Sequence, residues 1–199
     1  GEGSGFAVSG IGDINGDGLD DLVIWSLFAD NGSNSGSSYV VFGNTNGFAP
    51  SLGLSSLDGT NGFRIDGEAQ GDFSGRTVSG AGDVNGDDIA DLLIGAYRAD
   101  PNGYASGSSY VVFGRDTSTT GDYPAVFLLS SLDGANGFRL DGVTAYDRTG
   151  TAINAVNDIN GDGYDDLIIG AENAAPNGDY SGSSYVVFGK KAGFSATLQ

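Results

Sequence analysis

A nine-residue loop with oxygen-bearing side chains at its first, third, fifth and ninth positions is the segment best suited to chemistry. In its first copy these side chains belong to Asp13, Asn15, Asp17 and Asp21. A hard cation such as Ca²⁺ takes about six to eight oxygen ligands, and alternate residues of a tight loop can all point at one ion. Glycine residues inside the loop let the backbone curl around that ion. The loop therefore indicates a calcium site.

The same loop occurs twice more in the chain. The pattern falls on Asp83, Asn85, Asp87 and Asp91 in the second copy, and on Asp158, Asn160, Asp162 and Asp166 in the third. Asp-Gly and Asn-Gly pairs also form turns without any metal, but three copies of one spacing favour the calcium interpretation. The second copy has Asp88 where the others have Gly18 and Gly163. Because that position favours φ > 0, which Asp tolerates better than most residues, we expect the second loop to bind calcium most weakly.

The residues after each loop exclude a helix–loop–helix calcium site. An EF-hand needs a bidentate Glu at position 12 and a helix on either side. Position 12 is an isoleucine in every copy: Ile24, Ile94 and Ile169. The short apolar runs 22–24, 92–94 and 167–169 predict buried strands rather than helices. The same strands disfavour a dockerin, in which a helix follows a similar loop.

The loop is one part of a longer repeat. Its first Asp recurs after 70 residues and again after 75. The sequence Ser-Tyr-Val-Val-Phe-Gly occurs at 38–43, 109–114 and 184–189, and the segment 58–67 matches 133–142. A period of this length is typical of stacked or radially arranged supersecondary units.

Each repeat unit contains about four short predicted strands. In the middle unit these are 77–79, 92–96, 109–113 and 137–141. No segment shows a sustained helical period, so the predicted fold class is all-β. Four antiparallel strands per unit are typical of a β-propeller blade. We place the units at about 1–66, 67–141 and 142–199 and expect the first and the last to be incomplete.

These motifs resemble the FG-GAP repeat, the family that builds the β-propeller head of integrin α subunits and occurs in many bacterial surface and secreted proteins. The resemblance rests on Phe-Ser-Gly at 73–75, on the loop 83–91 with the following Leu-Leu-Ile-Gly-Ala, and on 107–114. It covers essentially the whole chain. It implies propeller blades, each with a structural Ca²⁺ in the loop between its first two strands.

The resemblance also implies a ligand set. Each ion would be bound by the four side chains named above and by one backbone carbonyl group, contributed by Leu19, Ile89 or Tyr164. Asp20 and Asp165 fall outside this pattern, so we expect both to face solvent.

Composition restricts the partners and the location. The formal net charge is −18, from 26 acidic and 8 basic residues, which argues against nucleic acid and anionic membrane surfaces as partners. No apolar run approaches the roughly 18 residues that span a bilayer. With no Cys, disulfides do not hold the fold. Weak calcium sites suit millimolar calcium, so we expect an extracellular or cell-surface location. The chain begins at Gly1 without a signal peptide, and we interpret it as an excised segment.

Three functions are compatible with these features. The first is a calcium-stabilised module for adhesion or extracellular protein interaction, the second a carbohydrate-binding propeller, and the third a propeller hydrolase or lyase. The absence of His and Cys removes the commonest general base and two common nucleophile systems, so we expect no enzyme activity. Trp25, Tyr97, Tyr104 and Tyr180 either contact a ligand or serve packing and solvation. We expect Arg64 and Arg139 to pair with neighbouring carboxylates.

The repeat pattern predicts an assembly larger than one chain. The strand equivalent to 62–66 is absent before the first loop and after the last unit. Propellers need about four to eight blades, and exposed strand edges recruit partners. We therefore expect either a larger ring or copies of the chain joined edge to edge.

Overall fold

The computed structural model describes residues 3–27, 34–191 and 193–199, and nearly all of its regular structure is β-strand. The first repeat forms β1 (Ser4–Gly12), β2 (Asp21–Ser26), β3 (Ser37–Val41) and β4 (Gly62–Asp66). The second forms β5 (Thr77–Gly82), β6 (Asp91–Ala96), β7 (Ser108–Val112), the four-residue helix α1 (Thr117–Thr120), β8 (Val126–Leu128) and β9 (Gly137–Asp141). The third forms β10 (Thr149–Asn157), β11 (Asp166–Ala171), β12 (Ser183–Val187) and β13 (Thr197–Leu198). The predicted all-β class is confirmed.

The strands of the described residues form three sheets, one for each repeat. The first has the order β1-β2-β3-β4-β8, the second β5-β6-β7-β9-β13, and the third β10-β11-β12. The first four strands of the first two sheets pair antiparallel, as a propeller blade requires. The first unit is not incomplete as expected. β4 follows β3 in the chain and gives the first sheet its fourth antiparallel strand. Within the described residues, the third sheet has no equivalent of β4.

A fifth strand, which the repeat pattern does not predict, extends each of the first two sheets. β8 pairs parallel with β4, and β13 pairs parallel with β9. Just before these strands, Tyr123 stacks on Phe63 with ring centroids 4.2 Å apart, and Phe194 stacks on Phe138 at 4.5 Å. The linker of one repeat therefore closes the outer edge of the preceding sheet.

The sheets pack face to face, and two of the apolar clusters of the described residues lie between neighbouring sheets. The innermost strands β1, β5 and β10 lie next to one another. Leu92 and Ile94 pack against the first sheet, whereas Leu93 packs towards the third, and all three have 0% exposure. Because β6 is buried on both faces, its apolar residues are consecutive rather than alternating. This stacking also fixes the positions of the loops that precede β2, β6 and β11.

Candidate metal-binding loops

The three predicted calcium loops connect the first two strands of each sheet and contact one another in sequence. The N–H of Ala90 donates to the carbonyl oxygen of Asp13 at 3.1 Å, and the N–H of Asp165 donates to that of Asp83 at 3.0 Å. The loops therefore lie side by side along one edge of the stacked sheets.

The first Asp of each loop folds the loop around its own carboxylate. In the first loop, Asp13 accepts hydrogen bonds from the N–H groups of Gly16 at 2.7 Å, Asp17 at 3.1 Å and Gly18 at 2.7 Å. Asp83 and Asp158 accept the equivalent three bonds. These bonds hold the side chain at the centre of a tight turn.

The ninth Asp ties the loop to the third strand of its sheet. Asp21 accepts from the N–H of Ile14 at 2.9 Å and from that of Gly43, just past β3, at 2.7 Å. Asp91 and Asp166 make the same two contacts. The exposures of Asp21, Asp91 and Asp166 are 3%, 0% and 0%, so each sheet buries one carboxylate at its loop.

Within the described residues, these buried carboxylates form no ion pair with a cationic side chain. Burial raises the pKa of Asp21 to about 6 and that of Asp91 well above its ordinary value, and the neighbouring loop aspartates add to both shifts. The ion pairs of the described residues involve neither of these groups nor Asp166. A buried charge without a partner is costly, and a bound cation would relieve that cost.

The third loop position supplies an oxygen that is unpaired in one copy. Asn15 and Asn160 each accept through Oδ1 from the N–H two residues later, at 2.9 Å. In the second loop the equivalent Oδ1, on Asn85, is buried and has no hydrogen-bond partner among the residues that the structure describes. A buried oxygen without a donor fits a cation ligand better than it fits a structural turn.

The donor chemistry of the loops fits a hard cation, since every side chain in the predicted set offers oxygen. Within the described residues, no three or more Asp, Glu, His or Cys side chains converge on a point where a metal ion could be held. The carboxylates bind backbone N–H groups in this conformation. The ligand set implied by the resemblance, with the carbonyl groups of Leu19, Ile89 and Tyr164, therefore stays a prediction.

Asp88 has the backbone conformation expected from its position. Its φ is +66°, compared with +86° at Gly18 and +92° at Gly163. A side chain is disfavoured in this left-handed region, so the second loop has a strained residue where the other two have glycine.

Asp20 and Asp165 occupy the same loop position in different surroundings. Asp20 is exposed, as expected. The expectation is wrong for Asp165, which is half-buried and accepts a hydrogen bond from the N–H of Asp83 at 2.8 Å. The difference arises because the second sheet lies beside the third loop. The sequence signal for this contact is slight: position 8 is Asp, Ala90 and Asp in the three copies.

The aromatic ligand candidates divide into buried and exposed residues. Trp25 is 1% exposed and packs edge-on against Phe6, so its ring is not accessible for stacking on a sugar. Tyr97 is half-buried. Tyr104 and Tyr180 are 61% and 77% exposed, and they remain candidates for ligand contact.

The two arginine residues of the repeated Gly-Phe-Arg motif have structural roles, as predicted. Arg64 pairs with Asp66 at 2.8 Å, and Arg139 pairs with Asp141 at 2.7 Å. Each arginine and its partner lie two residues apart on the fourth antiparallel strand of a sheet. The pairs therefore stabilise the outer part of each sheet.

Antiparallel sheets of one repeat, packed face to face around adjacent inner strands, define a protein built from β-propeller blades. The family model of the FG-GAP repeat matches residues 74–112 and 149–187. The chain therefore carries FG-GAP repeats of the integrin-α-like type.

Three curated relatives extend this comparison. The chain is 30% identical over 193 residues to phosphatidylinositol-glycan-specific phospholipase D of Dictyostelium discoideum, covering 90% of this chain and 19% of that protein. It is 34% identical over 92 residues to integrin alpha-2 of Mus musculus, covering 46% and 7%. It is 29% identical over 136 residues to integrin alpha-PS2 of Drosophila melanogaster, covering 66% and 9%. The chain thus matches less than a fifth of the length of each relative.

In the part of the chain that the structure describes, no helix combines the length and the apolar character needed to cross a bilayer.

Proposed function

We propose that this chain is a calcium-stabilised FG-GAP module that mediates adhesion or protein interaction at the cell surface or outside the cell. In this proposal, up to three Ca²⁺ ions bind, one in each loop, and act as structural ions. The integrin relatives support the interaction role, and millimolar extracellular calcium would keep weak sites occupied.

The buried ninth aspartate carries the proposal. Asp21, Asp91 and Asp166 each place a carboxylate at the base of a loop that holds three more oxygen-bearing side chains. No basic residue within the described residues forms an ion pair with them. A divalent cation compensates several such charges at once, which a single lysine or arginine would not do.

Two aspartates of each loop would hold the ion at positions that the fold already fixes. The first Asp is already oriented by three N–H groups, and the ninth is fixed between the loop and the third strand. When bound, the cation would supply positive charge that links these two fixed points. Binding would then link the loop between the first two strands to the third strand of the same sheet and stabilise the folded state.

Thermal unfolding in EDTA and in millimolar CaCl₂ tests this proposal. A ligand that binds only the folded state stabilises it by about 2.7 kcal/mol at a hundredfold excess over Kd, so calcium should raise the melting temperature clearly. Mg²⁺ should substitute poorly, because it demands a smaller and stricter octahedron. Equal melting temperatures with and without calcium would refute the proposal.

A matched pair of variants locates the effect. Asp87→Ala removes one proposed ligand from the second loop and should reduce the stabilisation by calcium. Asp179→Ala removes an exposed aspartate from the loop between β11 and β12, at the end of β11 opposite its metal loop, and should leave the response to calcium unchanged. A similar loss of calcium response in both variants would show that the loops are not the binding sites.

A second candidate function is carbohydrate binding. Tyr104 and Tyr146 form an exposed aromatic pair with ring centroids 5.4 Å apart, and exposed rings of this kind can stack on sugar faces. A glycan array tests the candidate: specific binding that is lost in Tyr104→Ala would favour it over a protein partner.

We propose no catalytic role for this chain. The name of the Dictyostelium relative describes an enzyme, but the chain spans 19% of that protein. The aspartates of the predicted ligand set accept hydrogen bonds from backbone N–H groups, and the chain contains neither His nor Cys. An assay for glycosylphosphatidylinositol cleavage by the purified chain should give no activity above that of a buffer control.

A further inference from the structure

One carboxylate reaches across the boundary between two sheets. Asp165, in the third loop, accepts a hydrogen bond from the N–H of Asp83 through Oδ2 at 2.8 Å. Its own N–H donates to the carbonyl oxygen of Asp83 at 3.0 Å. The approach is so close that a Cβ atom at Gly82 would collide with the Asp165 carboxylate. Both backbone groups of Asp83 are therefore held by a residue of the neighbouring sheet.

The other two loops show the same position without this contact. At the boundary of the first and second sheets, Ala90 donates its N–H to Asp13 at 3.1 Å but has no side chain to accept in return. Asp20 has the acceptor but is exposed. At this loop position, Asp165 makes both hydrogen bonds, Ala90 makes only the backbone hydrogen bond, and Asp20 makes neither contact with a neighbouring loop among the described residues.

We propose that Asp165 is a positioning residue for the second metal loop and couples that loop to the packing of the third sheet. This inference rests on the proposed calcium function, because Asp83 is the first ligand of the predicted set. A hydrogen bond to a carboxylate is stronger than one between neutral groups. By holding the Asp83 backbone, Asp165 fixes the start of the turn whose three N–H groups orient the Asp83 side chain.

A second contact strengthens the coupling across this boundary. The N–H of Lys190, just past β12, donates to the carbonyl oxygen of Val84 at 2.9 Å. The first two residues of the second loop are therefore attached to two different segments of the third repeat. Calcium binding in the second loop should stabilise the boundary between the sheets, and by reciprocity the intact boundary should tighten calcium binding.

Four chains test the inference: the unaltered chain, Asp165→Ala, Asp165→Asn and the control Asp20→Ala. Asn keeps an oxygen acceptor but removes the charge, so it separates the hydrogen bond from simple electrostatic attraction. Amide hydrogen exchange is measured in EDTA, and calcium affinity is measured for each loop by NMR titration. Circular dichroism shows whether each variant is folded.

In EDTA, Asp165→Ala should speed exchange of the Asp83 amide about tenfold, since one hydrogen bond is lost. Asp165→Asn should retain most of the protection, and Asp20→Ala should leave it unchanged. In calcium, Asp165→Ala should weaken binding in the second loop about three- to tenfold, while the third loop changes less than about twofold.

Two results would overturn the inference. Unchanged exchange at Asp83 in a folded Asp165→Ala variant would mean that the hydrogen bond does not form. Faster exchange with unchanged affinity of the second loop would mean that the bond does not position the ligand. Failure of the proposed function is distinguishable, because the unaltered chain would then show no calcium binding in any loop.

Discussion

Asp72 shows how a single carboxylate outside the loops responds to burial. It is 6% exposed and accepts a hydrogen bond from the N–H of Ala69 at 3.1 Å. Burial, with a smaller contribution from Asp100 and Glu68, raises its pKa to about 6. A raised pKa in the folded state means that the ionised form is disfavoured there relative to the unfolded chain.

We predict that Asp72→Asn removes a pH-dependent loss of stability. The stability contributed by protonated Asp72 is complete below 3.8, its ordinary pKa, and is lost as the pH rises through about 6. The variant should therefore gain stability relative to the unaltered chain between pH 4 and pH 7, by no more than about 1 kcal/mol because residual solvent screens the charge. Urea unfolding at several pH values measures the difference.

Asp58 provides a control of opposite sign. Hydrogen bonds from the Thr60 side chain and backbone lower the pKa of this exposed carboxyl. Its contribution is present at neutral pH and is lost as the pH falls through the lowered value, so Asp58→Asn should cost stability at pH 7 and little at very low pH. If the change in unfolding free energy depended on pH in the same way in both variants, the opposite pKa shifts of Asp72 and Asp58 would be wrong.

We predict that Asp88→Gly tightens calcium binding in the second loop. Glycine adopts the observed φ of +66° without the steric cost of a side chain. Removing the Asp88 charge acts in the opposite direction, but this side chain is exposed and its charge is screened. Calorimetry on both chains compares the affinities, and weaker binding by the variant would show that charge outweighs backbone strain.

For single residues, the sequence predicted local backbone conformation and local ion pairs better than it predicted contacts between sheets. The positive φ of Asp88 and the ion pairs of Arg64 and Arg139 follow from local rules, and the structure has them. The contact between Asp165 and Asp83 joins residues 82 positions apart. Such a contact depends on how two sheets are stacked, and spacing within one repeat does not contain that information.

At the scale of elements, the main strands were predicted and the linker strands were missed. The strands β6, β7 and β9 carry repeated apolar runs, and their predicted bounds differ from the observed ones by at most one residue. β8 and β13 contain three and two residues, too few to show any alternation. They form strands because each pairs with the edge strand of the preceding sheet. That pairing is a tertiary contact, which the local sequence does not encode.

We predict that the aromatic residue before β8 is a major stabilising contact. Tyr123 is 4% exposed, stacks on Phe63 and donates through its hydroxyl to the carbonyl oxygen of Ile14 at 3.1 Å. Tyr123→Ala should destabilise the chain by about 3 kcal/mol, as for other large buried aromatic residues. Chemical unfolding at low protein concentration gives this value.

Phe48 is the matched control for Tyr123. It lies in the equivalent linker of the first repeat but is 57% exposed, because no sheet precedes it within the described residues. Phe48→Ala should change the stability by less than about 0.5 kcal/mol. Similar losses in the two variants would show that stacking on the preceding sheet is not what stabilises Tyr123.

At the scale of the whole molecule, the two outer sheets expose faces that are buried elsewhere in the stack. Leu22 of the first sheet is 39% exposed, whereas its equivalent Leu92 is 0% exposed. Phe188 after the third sheet is 53% exposed, whereas Phe113 is 7% exposed. The repeated sequences show what normally covers each face: the neighbouring sheet of another repeat.

We predict that the isolated chain self-associates, with the outer face of the first sheet of one copy packed against the outer face of the third sheet of another. Contiguous exposed apolar patches favour partners. Two chains of three sheets would supply six blades, within the range of about four to eight for closed propellers. A joint that does not close would give filaments. The net charge of −18 opposes association, so salt and calcium should both promote it. Light scattering over a range of concentrations should show species larger than 20.1 kDa.

A pair of aspartate substitutions tests this prediction. Phe188→Asp places a charge on the outer face of the third sheet and should shift the chain towards the monomer. Tyr104→Asp changes an aromatic residue of similar exposure on the loop between β6 and β7 and should leave the association unchanged. A cooperatively folding monomer of 20.1 kDa at every concentration and salt level would contradict the prediction. The exposed faces would then be stable in water without a partner, despite their equivalence to buried ones.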